Sequence, residues 1–414
     1  MLANHFNSPG TVNRLNSGPA APFLEGFVQM LEVDGYADPT IRYHVGAVHH
    51  LCSWASAKSL DLATFDETRF QSFLRHLRSC HCTLAYRGKF MHHARFSIAL
   101  FETHLREIGV LPPVERKQDK DPLLASFRHW MLNHRGVRES TLQIYDRFIP
   151  RLMETVAGDA RRIDAVTLRS FFTEQTKTFS RGYTSNIANT LRVFVRYLIA
   201  EGKSPPGLDN ALPAVASWRG ASLPYYLASS DIERVIAGCD PSTKAGLRDR
   251  AIVLLLVRLG LRASDVVRLQ LQDLDWSDAS LRVCGKGRRE ARLPLTQEIG
   301  DAVLSYLRSG RPAVHTPVIF LRHQTPIGPF TTSSAISSIA AAAIHRAGIR
   351  SPRPGSHLLR HSAATELLQH GVSLQEIGSI LRHRSPDTTR HYAKVDRALL
   401  RLVVQPWPEV NYGG

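Results

Sequence analysis

A helix-ending pattern occurs twice in the first half of the chain and limits the folds open to it. Phe, Leu, Gly and a Pro-Pro pair recur at the same internal spacing, as Phe101-Leu105-Gly109-Pro112-Pro113 and Phe194-Leu198-Gly202-Pro205-Pro206. Apolar residues at helical spacing precede both copies. Internal repeats fix architecture, so the pattern predicts two related all-helical domains, at 21–113 and 121–206. The alternative is that the pattern is only a common way to end a helix.

Composition predicts which segments lie outside folded domains. Residues 1–20 are polar and dotted with Gly and Pro, and we expect them to be loose. The segment 207–228 is rich in Pro, Gly and Ala, which is typical of an interdomain linker. A charged stretch, 114–120, joins the two helical domains.

The charge balance favours a polyanionic partner. Lys and Arg outnumber Asp and Glu by 52 to 36, which gives a net charge of +16. Such a field attracts nucleic acid first and an anionic membrane second, although a merely soluble basic protein is the simpler alternative. The longest aliphatic run, at 251–257, is far shorter than the ~20 residues of a membrane span. With no signal-like N-terminus, we expect a soluble cytoplasmic protein.

The cysteines are few and scattered. There are five of them, at positions 52, 80, 82, 239 and 284, and this odd set indicates a reducing compartment rather than a disulfide framework. Cys80-His81-Cys82 followed by His92-His93 could suggest zinc, but the spacing matches no common zinc finger. We therefore expect no metal.

The last part of the chain, 229–406, has a different pattern. A capping box from Ser230 to Glu233 opens a helix, and a strongly apolar helix follows at 247–259. Residues 281–295 alternate between apolar and polar around a Gly-Lys-Gly turn, which predicts a β-hairpin with Lys286 at its tip. The fold class is therefore mainly α, with two helical domains and a third, mixed α+β domain.

The third domain contains residue types that suit phosphodiester cleavage. That reaction needs a nucleophile, neutralisation of charge on the phosphate oxygens and a proton for the leaving oxygen. Arginine can bond two phosphate oxygens with its planar fork, and histidine or lysine can move protons. A tyrosine supplies a covalent phosphotyrosyl link. The candidates are Arg262, Lys286, His357, Arg360, His383 and Tyr392.

These residues, in this order and spacing, resemble the signature of the tyrosine recombinases, the phage-integrase family. The resemblance rests on Gly260-Leu261-Arg262-Ala263-Ser264-Asp265, Lys286, His357-Leu358-Leu359-Arg360-His361, His383 and Tyr392. It covers the whole third domain, which it marks as catalytic. The second helical domain is similar in place and pattern to the core-DNA-binding domain of the family.

The resemblance implies a role for each residue. Arg262 and Arg360 would bind the scissile phosphate, while His383 would hydrogen-bond to it. Lys286 would protonate the leaving 5′ oxygen, and His357 would act as acid and base toward Tyr392. The carboxylate of Asp265 would support Arg262. No metal or nucleotide cofactor is implied.

Several features depart from the family pattern or stay open. Arg382 occupies a position where the family usually has glycine, which puts the local backbone path in doubt and could add a phosphate contact. His361 is interpreted as structural. The first helical domain could be an arm-site binder, a duplicated core-site binder or a protein–protein module. An apolar tail helix at 399–404 could dock into a neighbouring protomer or simply cover the core.

The sequence thus predicts a site-specific DNA recombinase, an integrase or transposase of a mobile element. It would cleave and rejoin double-stranded DNA at specific sites through a 3′-phosphotyrosyl intermediate, as a homo- or hetero-tetramer. The alternatives are a catalytically silent DNA-binding accessory protein and a type IB topoisomerase, which shares the chemistry.

Overall fold

The computed structural model describes residues 2–80, 91–113, 121–137, 139–215, 223–284, 290–383 and 385–395. The chain divides into two compact units, one of residues 1–111 with 222–414 and one of residues 112–221. The predicted first helical domain therefore shares a unit with the third domain. One contact between them joins the backbone N–H of Ile327 to the carbonyl of Asp34, at 3.2 Å.

The first helical domain is built on an apolar core, against which α3 packs with one face while the middle of α4 is buried all round, from Ala47 to Cys52. Its helices are α1 (Leu2–His5), α2 (Pro9–Ser17), α3 (Ala21–Val33), α4 (Asp38–Ala57), α5 (Glu67–Ser79) and α6 (Met91–Glu107). Leu24, Phe27 and Leu31 recur every three or four residues along α3, and all three are fully buried.

The prediction that residues 1–20 are loose is wrong. They form α1 and α2, and Pro9 occupies the first turn of α2, where a missing N–H costs nothing. Leu2 and Leu15 are buried in the core of the first helical domain. These two buried leucines hold residues 1–20 against the core. The polar composition of the segment does not reveal them.

The second helical domain repeats the element order of the first. It consists of α7 (Pro122–Asn133), α8 (Glu139–Thr155), α9 (Ala165–Thr176) and α10 (Arg181–Ala200). A short 3-10 turn separates α8 from α9, at Ala160–Arg162, just as Leu62–Thr64 separates α4 from α5. The helices α3 to α6 and α7 to α10 thus follow one plan.

An aromatic pair recurs at the same place in both copies. Phe27 meets Phe101 edge to face with ring centroids 5.3 Å apart, and Phe127 meets Phe194 in the same way at 5.1 Å. Such pairs contribute about 0.5–1.5 kcal/mol beyond their burial. The sequence repeat therefore reflects a shared tertiary contact as well as a similar helix ending.

The predicted linker, 207–228, is partly packed against the domains on either side. Leu208 and Leu212 are buried in the second helical domain, where Arg192 donates to the carbonyl of Leu212 at 3.1 Å. At the other end the N–H of Leu227 donates to Ser362 Oγ at 2.8 Å. Fixed structure therefore extends into the predicted linker from both ends.

The third domain surrounds one buried helix, α12, whose residues from Ala251 to Val257 are all buried. Its helices are α11 (Ser229–Ala237), α12 (Lys244–Arg258), α13 (Ala263–Arg268), α14 (Gln297–Ser305), α15 (Ser333–Arg346), α16 (Ser356–Gln369), α17 (Leu374–Ile380) and α18 (Pro386–Arg390). Thr243 caps α12 by accepting the N–H of Gly246 at 3.0 Å.

Short antiparallel sheets complete the third domain. Strands β1 (Leu274–Asp275), β2 (Ser280–Cys284) and β3 (Glu290–Pro294) pair in that order, with Leu281 opposite Leu293. Strands β4 (Leu321–Arg322) and β5 (Gly328–Pro329) form a second pair. The mainly α fold with a β-hairpin is confirmed.

Lys286 and the predicted tail helix at 399–404 lie outside the described residues. In the described helices, no stretch has the length and apolar character that crossing a bilayer requires.

We expect Gly246→Ala to destabilise the third domain. A Cβ at Gly246 would lie 1.8 Å from the carbonyl oxygen of Asp240, which is backbone and cannot rotate away. The overpacking should cost about 1–3 kcal/mol, measured by urea unfolding. Gly300→Ala, in α14, is the matched control, because its Cβ would meet neighbours no nearer than 3.8 Å. Equal stability of the two variants would contradict the close approach at Gly246.

Candidate active site

Arg360 joins two segments that are far apart in sequence. It lies on α16 with 6% of its surface exposed. Its Nη1 donates to the carbonyl of Gly260, and its Nη2 donates to the carbonyl of Leu381 at 2.5 Å. Burial lowers the pKa of Arg360 to about 10, and the nearby charge of Arg262 adds to that effect. The guanidinium therefore stays charged at neutral pH and is held in one orientation.

Arg262 lies at the start of α13, directly after the Gly260 turn. Its Nη2 donates to the carbonyl of Arg382 at 2.7 Å. The predicted support from Asp265 reaches Arg262 through its backbone, because Oδ2 accepts the Arg262 N–H at 3.4 Å. Asp265 itself is 2% exposed. The loop after α12 thus brings the Arg262 guanidinium to the end of α17.

Arg382 completes this network from the other side. Its backbone has a φ of +55°, in the left-handed region where glycine is unstrained and other residues lose about 1–2 kcal/mol. The path that a glycine would favour is therefore kept despite the substitution. Its Nη2 donates to Asp265 Oδ2 at 2.9 Å. The buried Nε and Nη1 have no hydrogen-bond partner among the described residues.

Tyr392 lies in the 3-10 turn His391–Val395, just beyond the short helix α18 on which the sequence placed it. Only 1% of its surface is exposed. Its hydroxyl is 2.8 Å from Nδ1 of His361, and its ring is nearly parallel to that of His383, with centroids 6.4 Å apart. Burial raises the pKa of Tyr392 to about 12, although Arg360 opposes that rise. The phenol keeps its proton at neutral pH and needs a base to become a nucleophile.

Two histidines next to Tyr392 are neutral at physiological pH. Burial lowers the pKa of His361 to about 4, and the neighbouring His357 and His391 add to it. Burial also lowers the pKa of His383 to about 4, with Arg360 and Arg262 contributing. Nδ1 of His383 lies 2.8 Å from Thr389 Oγ1. In the tautomer that keeps its own proton on Nε2, Nδ1 of His361 accepts the Tyr392 O–H, which places His361 next to the proton that the phenol would have to lose.

The contact of Tyr392 differs from the role that the resemblance implied. His357 was expected to serve Tyr392, but its ring is exposed and lies 6.5 Å from the ring of His361. Between His357 and Tyr392, both described, no hydrogen bond is present. His361, interpreted from sequence as structural, is the direct partner of the phenol. The four-residue step from 357 to 361 puts both rings on one face of α16, and this was the available signal.

A cavity of about 790 Å³ opens beside these groups. Arg262, Arg382 and His383 line it together with residues of β3, α17 and α18. Three guanidiniums lie at this site, those of Arg262, Arg360 and Arg382, and of these only Arg382 forms an ion pair with the buried Asp265 among the described residues. The excess of positive charge suits a bound anion. Lys286, the remaining candidate, lies outside the described residues.

Comparisons with known proteins show the family of the chain. Residues 225–398, which include all six predicted site residues, match the phage integrase family. A putative integrase/recombinase, y4rA of Sinorhizobium fredii, is 31% identical over 97% of this chain and 98% of its own length. The chain belongs to the phage integrase family of tyrosine recombinases. The tyrosine recombinase XerD of Lacticaseibacillus casei is 31% identical over 68% of this chain and 96% of its own.

Solved structures of this family share the fold. XerH recombinase bound to a palindromic difH substrate aligns with a TM-score of 0.51 and 17% identity, over 93% of this chain and 96% of that one. A lambda integrase dimer bound to a core site aligns with a TM-score of 0.52 and 18% identity, over 70% and 98%. These tyrosine recombinases confirm the predicted fold class.

We expect acid to destabilise the site through its neutral histidines. His361 and His383 have pKa values of about 4 in the folded chain against 6.5 otherwise, so folding disfavours their protonated forms. Their contribution to stability is complete above pH 6.5 and is lost as the pH falls through 4. As the pH falls from 6.5 to 4, the free energy of unfolding of His361→Gln should decrease by about 1–2 kcal/mol less than that of the parent chain. Urea titrations at both pH values measure the difference.

The control for this measurement is His345→Gln, which changes an exposed histidine on α15. That variant should lose as much stability in acid as the parent chain does. The same acid response in His361→Gln and the parent would contradict a buried neutral imidazole at position 361.

Proposed function

We propose that this protein is a site-specific DNA recombinase that uses Tyr392 to cleave and rejoin double-stranded DNA. The observation that carries the proposal is the contact of the Tyr392 hydroxyl with a neutral His361 beside the Arg360 guanidinium. A phenol with a proton acceptor and a fixed positive charge nearby has what nucleophilic attack on a phosphodiester needs.

In the proposed reaction, Arg262 and Arg360 bind the non-bridging oxygens of the scissile phosphate. The carbonyl bonds of Arg360 fix its plane, so the charge is aligned before DNA arrives. Arg382 adds its Nε–H and Nη1–H, and His383 adds a ring nitrogen.

The Tyr392 oxygen attacks phosphorus as its proton passes to His361. The bond from phosphorus to the 5′ oxygen breaks, and Lys286 gives that oxygen a proton. The product is a 3′-phosphotyrosyl link and a free 5′ hydroxyl. Attack by the 5′ hydroxyl of another strand reverses these steps, and because one ester replaces another, rejoining needs no cofactor.

His357 retains a proposed role on the phosphate side of the site. Its exposed ring is one helical turn from His361 on α16 and can reach a substrate that occupies the adjacent surface. In this scheme His361 handles the tyrosine proton and His357 contacts the DNA. The division follows from the exposure of the two rings and from their four-residue spacing.

The partner we propose is double-stranded DNA with specific recombination sites, bound by a homo- or hetero-tetramer. The net charge of +16 supplies the attraction, and the two helical domains would grip the duplex around the site. The relatives named above are recombinases, and a Tn1549 transposon integrase, solved in complex with transposon right end DNA, aligns with a TM-score of 0.52 at 15% identity. Action in a mobile element and a cytoplasmic location remain predictions.

Tyr392→Phe should abolish covalent adducts with a suicide DNA substrate while leaving DNA binding intact. The change removes one buried oxygen and keeps the ring that packs beside His383. Adducts are counted by denaturing gel electrophoresis, and binding by mobility shift. Tyr225→Phe is the control, because Tyr225 is 58% exposed in the same compact unit and should form adducts like the parent.

Two results of this experiment, and one result of a separate plasmid-relaxation assay, would count against the proposal. Adducts formed by Tyr392→Phe would move the nucleophile elsewhere. A parent chain that binds its DNA without forming adducts would favour the accessory protein. Relaxation of any supercoiled plasmid without a special site would favour a type IB topoisomerase.

Arg262→Ala should slow cleavage by at least about 10²–10³-fold, as removal of one donor to a developing oxyanion does. Single-turnover cleavage under saturating protein separates this effect from binding. Arg268→Ala is the matched control on the same helix, since Arg268 is exposed and only adds a second ion pair to Asp265, at 3.2 Å. Retained cleavage by Arg262→Ala would remove Arg262 from the phosphate site.

A further inference from the structure

A cluster of metal-ligand side chains lies in the first helical domain, away from the candidate active site. It consists of His50 on α4, His76 on α5 and Cys80 directly after α5. Their ligand atoms all lie within 4.8 Å of one another. His50 is buried, and the other two are partly buried. His76 and Cys80, which follow His50 by 26 and 30 positions, therefore lie next to it in the fold.

The distances in this cluster fit a zinc ion. Sγ of Cys80 is 3.5 Å from Nε2 of His50. Zinc bonds of about 2.3 Å to sulfur and about 2.0 Å to nitrogen, at a tetrahedral angle, separate the two ligand atoms by roughly 3.5 Å. The imidazole rings of His50 and His76 have centroids 5.5 Å apart and are inclined by 68°. Mixed thiolate and imidazole ligands are typical of zinc.

The surroundings prepare both histidines for a metal. Burial lowers the pKa of His50, helped by His76 and His49, and burial also lowers the pKa of His76, helped by Lys58. The lowered pKa favours the neutral form of each imidazole, which is the form that ligation requires. Phe73 packs edge-on against His50 at 5.4 Å, and Trp54 lies 6.0 Å from His76. These rings limit the orientations of the ligands.

The second helical domain shows that the fold does not require this cluster. Asp66 and Asp164 cap the equivalent helices α5 and α9 in the same way, each accepting the N–H three residues on. Counted from these caps, His76 and Cys80 correspond to Glu174 and Thr178. Glu174 is exposed and forms an ion pair with Lys177. The second helical domain thus has an exposed, charged residue at the position where the first has His76.

We propose that His50, His76 and Cys80 bind a structural Zn²⁺ ion. The ion fastens the end of α5 to the middle of α4, and a fourth ligand completes its tetrahedron. This proposal differs from the expectation of no metal, which considered Cys80-His81-Cys82 with His92-His93. Of that motif only Cys80 belongs to the described cluster, and its partners come from two helices upstream. The side chains of the remaining motif residues lie outside the described part of the chain.

The test is the zinc content of the full-length protein, purified without chelator and measured by plasma mass spectrometry. We expect one zinc ion per chain, and its loss in Cys80→Ser and His76→Ala. Cys284→Ser and His345→Ala change an exposed cysteine and an exposed histidine elsewhere, and both should retain the metal. A chelator should lower the unfolding temperature of the parent and leave that of Cys80→Ser unchanged.

Cobalt gives a readout that does not depend on variants folding. Co²⁺ added to metal-free parent protein should produce the charge-transfer absorption of a cobalt–thiolate bond and the intense visible bands of a tetrahedral site. Folded parent protein that takes up neither zinc nor cobalt in this way would overturn the proposal. None of these measurements involves DNA cleavage, so the zinc site and the proposed recombinase activity succeed or fail separately.

Discussion

The candidate site depends on the buried guanidinium of Arg360 and its two backbone carbonyl partners. A charge so deeply buried is costly unless its hydrogen bonds are satisfied. The carbonyls of Gly260 and Leu381 satisfy it while tying the loop after α12 to the end of α17. Since Arg262 follows the first carbonyl and Arg382 follows the second, the same bonds bring these side chains together. One arginine thus fixes both the position and the charge of the site.

The charge of the site is unbalanced in a way that suits its proposed substrate. The site holds three guanidiniums, of which Arg382 pairs with the buried Asp265, and burial lowers the pKa of both Arg360 and Arg382. A phosphate diester would supply the missing negative charge and would accept the N–H groups of Arg382 that have no partner among the described residues. The nearby charge of Arg262 adds to both shifts, so a bound phosphate would offset the repulsion between these arginines.

The sequence predicted the features that local patterns encode better than those that depend on long-range contacts. Periodicity and capping boxes located the helices, and the order of Arg262, Arg360, His383 and Tyr392 located the site. The left-handed backbone at Arg382, the burial of Leu2 and Leu15, and the partner of Tyr392 depend on tertiary packing. The grouping of His50 with His76 and Cys80 needs two helices to be placed side by side, which no motif encodes.

The short connection between His383 and Tyr392 has a consequence for assembly. Nine residues of α18 and its neighbouring turns carry the phenol back to the arginines of its own chain. A copy in an oligomer would therefore hold Tyr392 beside its own His361 and Arg360, and would not need to borrow a nucleophile.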